Sequence, residues 1–384
     1  MNKSPYNSNK NSISVSPAFG AVLLATFCLF LVSVVALTAC LIKNSADGKK
    51  ADTCDDTDIS TDIDSDTQPF VPVVSIPKSG VKSGIVVPCV TGEGAERSIA
   101  AENVVDITAT GDIKSAHAIL VELTGNTSIV EKGADTRVYP ASMTKIMTLL
   151  VACENARNAN DRMAVTQEMV DYHKNTGGSG QMAFVAGEAI TVEDALHLVI
   201  YDSDTIACLL LAEYVAGSEA EFVALMNAKA AELGLSGTNF KNCTGLHNEE
   251  HYTTCRDMAT IMACVLKNNA AKQILTSFNG YVVDIYDNME SKLSRTSLAY
   301  ADWYSGRLED NPWAGNGSDV KIMGGKTGYE DVPRYCFVTY AQNTSTNTEY
   351  ICVTVGRSNE QQYSIRLVES VSDTKRLYQK YAVK

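Results

Sequence analysis

Residues 161 to about 272 read as mostly helical, and strands are read toward both ends of the chain beyond that block. This order constrains the fold more than any other feature. Strands at the two ends of one domain share a sheet only if the helices between them pack onto it as an insertion. Residues 116–123 read as the first strand. Thr124-Gly125-Asn126-Thr127 is a hairpin turn and 128–131 the return. His117 reads as a packed strand residue. At the far end, 320–328, 336–341 and 350–355 read as strands, the last two joined by the polar turn 343–347, and 360–381 as a closing helix. The expectation is an α+β fold: an antiparallel sheet flanked by helices, with an inserted helical subdomain.

Within the block, Thr191 followed by Asp194 has the pattern of a helix cap. Val192, Ala195, Leu196, Val199 and Ile200 then form one apolar face, and this helix is expected to end near 201–205. Helices follow over 206–216, after the Gly217-Ser218 break over 219–233, and over 257–266. Residues 234–254 show little periodicity and read as a loop.

The 384-residue chain divides before this domain. Residues 1–17 are polar and read as a cytoplasmic tail. Residues 18–42 are uncharged and apolar, long enough to span a bilayer, and read first as a transmembrane anchor. Leu37-Thr38-Ala39-Cys40 in the same run also has the form of a lipoprotein signal, with Cys40 as the lipid-bearing residue. Residues 43–95 include a tract alternating Asp with Ser and Thr and read as a disordered acidic linker. The folded domain is expected over 96–384.

A net charge of −13 with few basic clusters argues against nucleic acid as a partner. The eleven cysteines include no C-x-x-C pair, which argues against zinc. Cys153, Cys208, Cys264, Cys336 and Cys352 sit in apolar runs and read as buried free thiols.

Chemistry concentrates at Tyr139-Pro140-Ala141-Ser142-Met143-Thr144-Lys145, the expected start of a helix reaching Asn155. Three residues apart, Ser142 and Lys145 share a helix face within hydrogen-bond reach. A serine hydroxyl is a weak nucleophile until a base takes its proton, and a lysine kept neutral is such a base. The free N–H groups of a helix start also suit a developing oxyanion. Ser203-Asp204-Thr205 and Lys326-Thr327-Gly328 follow in order.

The three motifs resemble those of the penicillin-binding and serine β-lactamase superfamily. The text around them, including Ala212-Glu213-Tyr214-Val215-Ala216-Gly217-Ser218, Phe222-Val223-Ala224-Leu225-Met226-Asn227 and Gly324-Gly325 before Lys326, is similar to the low-molecular-mass D-alanyl-D-alanine carboxypeptidases. The resemblance runs from about Ser115 to Tyr381 and implies a β-lactamase/transpeptidase-like fold. It implies that Ser142 attacks the terminal D-Ala-D-Ala bond of a peptidoglycan stem peptide, that Lys145 takes its proton with Lys326 helping to keep it neutral, and that Ser203 relays a proton to the leaving D-alanine. Thr205, Lys326, Thr327, Gly328 and Tyr329 would hold substrate, with the Ser142 and Tyr329 N–H groups as oxyanion hole. β-Lactams would inhibit by acylating Ser142, and no cofactor or metal is called for. The location implied is the bacterial cell membrane, tethered by the N-terminal segment, with the domain on the extracytoplasmic side.

Two departures stand out. The middle motif usually ends in Asn and here ends in Thr205, whose hydroxyl lacks an amide's paired donor and acceptor. Pro333-Arg334 replaces a common Ala-Gly pair. The Glu-x-x-Leu-Asn segment that deacylates penicillin in β-lactamases is missing. The alternative reading is a relative that penicillin acylates without turnover, acting as a sensor or a cell-wall binding protein.

Overall fold

The structure is a computed structural model that describes residues 104–277, 281–287, 291–297, 319–330, 334–357 and 363–382. All of them belong to the unit Pro72–Lys384. The expected segments 1–17, 18–42 and 43–95 lie outside the described residues.

The strands at the two ends of the domain meet in one six-stranded sheet. In chain order they are β1 (Val105–Asp106), β2 (Ser115–Glu122), β3 (Thr127–Lys132), β8 (Val320–Glu330), β9 (Arg334–Asn343) and β10 (Glu349–Arg357), and their order across the sheet is β1-β3-β2-β10-β9-β8. Only the β1–β3 pair is parallel. Alternation sets the register. Ile119, Val121, Val338, Ile351 and Val353 face one core, while Ala118, Leu120, Ala341, Tyr350 and Cys352 face another. Fully burying such an aliphatic side chain is worth roughly 1.5–3 kcal/mol. A one-residue slip would move each set into the other core, so the hairpin turns and the fit of each core hold the register together with the alternation.

The closing helix α8 (Tyr363–Tyr381) covers the second face with Leu377 and Tyr378. Asp373, 1% exposed, ties it to the start of β2 by accepting from the Lys114 and Ser115 N–H groups and the Ser115 hydroxyl at 2.7–3.0 Å. The inserted helices cover the first face: α1 (Thr144–Asn155), α2 (Gln167–Thr176), α3 (Val192–Tyr201), α4 (Thr205–Ala216), α5 (Glu219–Glu232), α6 (Cys255–Lys267) and α7 (Asn269–Thr276).

The capping box at Thr191 and Asp194 is present as the sequence predicts. α1 is buried more widely than its sequence predicts. Ile146, Leu149, Leu150 and Cys153 recur at helical spacing and predict one stripe facing a core, yet every residue from Thr144 to Cys153 is buried. Neighbours on all sides of a central helix make its sequence apolar all round, so a stripe is no longer diagnostic. The sequence also predicts no small sheet, but β4 (Arg162–Ala164), β5 (Glu188–Thr191), β6 (Tyr281–Asp287) and β7 (Ser291–Ser297) form one in that order. β4 and β5, of three and four residues, are too short to show a period of two, while β6 and β7, of seven residues each, lie in a stretch for which the sequence predicts no element. The Arg162 guanidinium lies 3.5 Å from the Tyr286 ring centroid across this sheet. The described cysteines are buried free thiols.

Candidate active site

Ser142 does not sit in the first α-helical turn. It occupies a single 3₁₀ turn, Ala141–Met143, that leads into α1. The turn is entered from Pro140 at φ −74°, a value the proline ring presets. Ala141 then takes φ +46°, a conformation uncommon for a residue with a β-carbon. Its surroundings hold it there. Cys336 donates from Sγ to the Pro140 carbonyl at 3.1 Å. A β-carbon on Gly245 would stand 2.1 Å from the Ala141 carbonyl oxygen, and one on Gly328 would stand 2.9 Å from the Ser142 nitrogen. The turn is therefore gripped between a loop and a strand that must both be glycine at the contact. Strain of this kind, about 1–3 kcal/mol per residue, persists only where the surroundings over-determine it.

Lys145, 1% exposed, donates from Nζ to the Ser142 hydroxyl at 3.1 Å, to the Thr244 carbonyl at 2.5 Å and to the Ser179 hydroxyl at 3.4 Å. The Thr244 carbonyl is aimed by Asn242, whose Oδ1 accepts from the Thr244 and Gly245 N–H groups and from the Thr244 hydroxyl. These residues lie in the stretch that reads from sequence as a featureless loop. An Asn followed by Gly three residues on is the one local signal there, an Asx-type turn.

Ser203 lies between α3 and α4 at φ +55°, a second strained residue at the same place. Its hydroxyl donates to the Ser142 hydroxyl at 3.0 Å. Asp204 caps α4 by accepting from the Ala207 N–H. Burial pushes its carboxyl up to about 7, against the pull of that hydrogen bond and of Lys145. Thr205 is 1% exposed, and its hydroxyl accepts from the Ser179 N–H at 2.9 Å.

Lys326, Thr327, Gly328 and Tyr329 run along β8, the edge strand beside the Ser142 turn. Lys326 is 1% exposed and donates to the Thr327 carbonyl at 2.9 Å. Burial, and then the nearby Lys145 charge, push its pKa down to about 7. Tyr329 is exposed, its ring against Tyr335.

The structure thus joins Ser142, Lys145 and Ser203 in one hydrogen-bonded cluster, lays the β8 motif beside it, and turns Thr205 toward Ser179. Ser179, Asn242, Thr244 and Gly245 belong to the arrangement although the sequence reading does not single them out. Of Pro333-Arg334, the proline lies outside the described residues.

This architecture is that of the penicillin-binding proteins and DD-transpeptidases. The fold matches the Streptomyces K15 DD-transpeptidase with a TM-score of 0.60 at 22% identity, over 70% of this chain and 96% of that one. It matches penicillin binding protein 5 from Haemophilus influenzae at 0.56 and 23%, over 70% and 71%. The chain belongs to the D-alanyl-D-alanine carboxypeptidase family, whose pattern matches residues 103–359. Among curated relatives, D-alanyl-D-alanine carboxypeptidase DacF of Bacillus subtilis is 31% identical over 252 residues, 66% of this chain and 60% of that protein. DacC of Escherichia coli is 37% identical over 151 residues, 37% of each. The matches thus span 60% or less of these two relatives' lengths.

Proposed function

We propose that the chain is a serine-type D-Ala-D-Ala carboxypeptidase that shortens peptidoglycan stem peptides by one residue and is acylated by β-lactams. The observation that carries this is the Ser142 hydroxyl, within hydrogen-bond reach of both Lys145 Nζ at 3.1 Å and the Ser203 hydroxyl at 3.0 Å. Ser142 Oγ bonds to the carbonyl carbon of the penultimate D-alanine while its proton passes to Lys145. The oxyanion is held by the N–H groups of Ser142 and Tyr329. The carbon–nitrogen bond breaks, and the leaving amine takes a proton through Ser203. Water then attacks the ester and Ser142 regains its proton. Lys326 and Thr327 bind the terminal carboxylate of the substrate.

The reading includes a tether in residues 18–42, either a spanning helix or a lipid on Cys40, that holds the domain outside a bacterial cell membrane. Among the described residues no helix is long and apolar enough to cross a membrane, and residues 18–42 lie outside them.

The test is D-alanine release from a synthetic peptide ending in D-Ala-D-Ala, together with labelling by a fluorescent penicillin. Turnover by the wild type, with both signals abolished in Ser142→Ala, is expected. Labelling without turnover would mean a penicillin sensor. Labelling at full strength in Ser142→Ala would remove Ser142 as nucleophile.

A further inference from the structure

We propose that Ser179 is a positioning residue for acylation and that Thr205 holds it in place; this rests on the reading of Ser142 and Lys145 given above. Residues 177–180 are Gly-Gly-Ser-Gly, so Ser179 carries the only side chain of that run. The run lies flat against the Ser203 turn. Thr205 binds it at two points, its N–H donating to the Ser179 carbonyl at 2.9 Å and its hydroxyl accepting from the Ser179 N–H at 2.9 Å. Directly after Gly180, the Gln181 N–H donates to Asp202 Oδ2 at 2.7 Å. The glycines are what permit this contact. A β-carbon on Gly178 would stand 2.9 Å from the Thr205 hydroxyl oxygen, and one on Gly180 would stand 2.2 Å from an Asp204 carboxylate oxygen.

The clamp delivers one hydroxyl to the reacting groups. Ser179 Oγ donates to the Ser203 carbonyl at 2.5 Å and accepts from Lys145 Nζ at 3.4 Å. The first bond steadies the peptide of a residue held at φ +55° whose own hydroxyl reaches Ser142. The second orients the base. A neutral lysine amine has two N–H donors and one lone pair. With the Thr244 carbonyl and Ser179 Oγ as acceptors for two N–H groups, the remaining direction from Nζ, which carries an N–H to Ser142 Oγ in the ammonium form, becomes in the neutral amine the lone pair that takes the Ser142 proton. Thr205 in place of the usual Asn is therefore read as the anchor of this loop, with Ser179 presenting a hydroxyl to the lysine.

The test measures acylation of the full chain by a fluorescent penicillin, resolved into the limiting acylation rate and the affinity of the preceding non-covalent complex. Ser179→Ala is expected to lower the limiting rate about tenfold or more with affinity changed less than about twofold, since orientation of the base acts on the transition state. Ser179→Thr, which keeps the hydroxyl, is expected to retain most of the rate. Thr205→Val removes the acceptor without changing shape, and its effect should be less than additive with that of Ser179→Ala. A rate unchanged in Ser179→Ala, or rate and affinity lost in step, overturns this inference and leaves the functional reading standing. A wild-type chain that penicillin does not acylate overturns both.

Discussion

At Lys326 two requirements oppose each other. Burial of the side chain favours its neutral form, and so does Lys145 whenever that lysine carries its proton, giving a pKa of about 7 against an ordinary value of 10.5. Binding a carboxylate requires the charged form. The sign follows from this. Between about pH 7 and 10.5 the unfolded chain holds a proton on this lysine that the folded chain has lost, so the group adds to stability as pH rises through that window. Below about 7 the buried cation is present in full and opposes folding. Substrate affinity runs the other way. KM for a peptide with a free terminal carboxylate is expected to rise as pH increases from about 7 to 9, toward tenfold per unit at the steepest. The same peptide ending in a carboxamide should show no such limb. Equal alkaline limbs for the two peptides would mean that Lys326 does not read the carboxylate.

Among the elements, β8 tolerates little change at its glycines. It is an edge strand, yet it presses against the Ser142 turn through Gly328, where an added β-carbon would also stand 2.6 Å from Cys336 Sγ. Both neighbours are fixed: Cys336 is buried in the paired strand β9, and Ser142 N belongs to the strained turn. Gly328→Ala therefore has to move the strand outward. A displacement approaching 1 Å near the reacting atoms costs on the order of a hundredfold in rate. Acylation by penicillin is expected to fall at least tenfold, with far-ultraviolet circular dichroism unchanged because the rest of the β8–β9 ladder is retained. Wild-type acylation in this variant would show that β8 does not set the geometry around the Ser142 nitrogen.

For the whole molecule, the question is how the domain relates to the segment before it. The family pattern begins at residue 103, and the sheet begins with β1 at Val105. Every residue in the Ser142 cluster lies beyond that point. A chain starting near Glu93 is therefore expected to be soluble and to acylate with penicillin at the full-length rate, while the intact chain sediments with membranes. Cys40→Ala separates the two tethers. Unchanged membrane association supports a spanning helix, and loss of metabolic lipid labelling supports a lipoprotein. An intact chain found wholly in the soluble fraction would remove both.

The sequence alone determined most of the helices, the strands at the two ends of the domain and the three motifs, because these depend on local period and on residue types a few positions apart. Thr191 with Asp194, or Ser142 with Lys145, needs no distant partner to be read. It did not show that α1 is buried all round, since a central helix loses its stripe. Nor did it show the short strands β4 and β5, which borrow their order from β6. At the site, Ser179 and Thr244 meet Lys145 from 34 and 99 residues away in sequence. Their contributions are one hydroxyl and one backbone carbonyl, groups that mean nothing in a local pattern. The family resemblance implies that Thr205 holds substrate, and in the fold its hydroxyl accepts from the Ser179 N–H. Only tertiary structure could decide that, because the direction of a buried hydroxyl is set by which unpaired backbone group the packing brings against it.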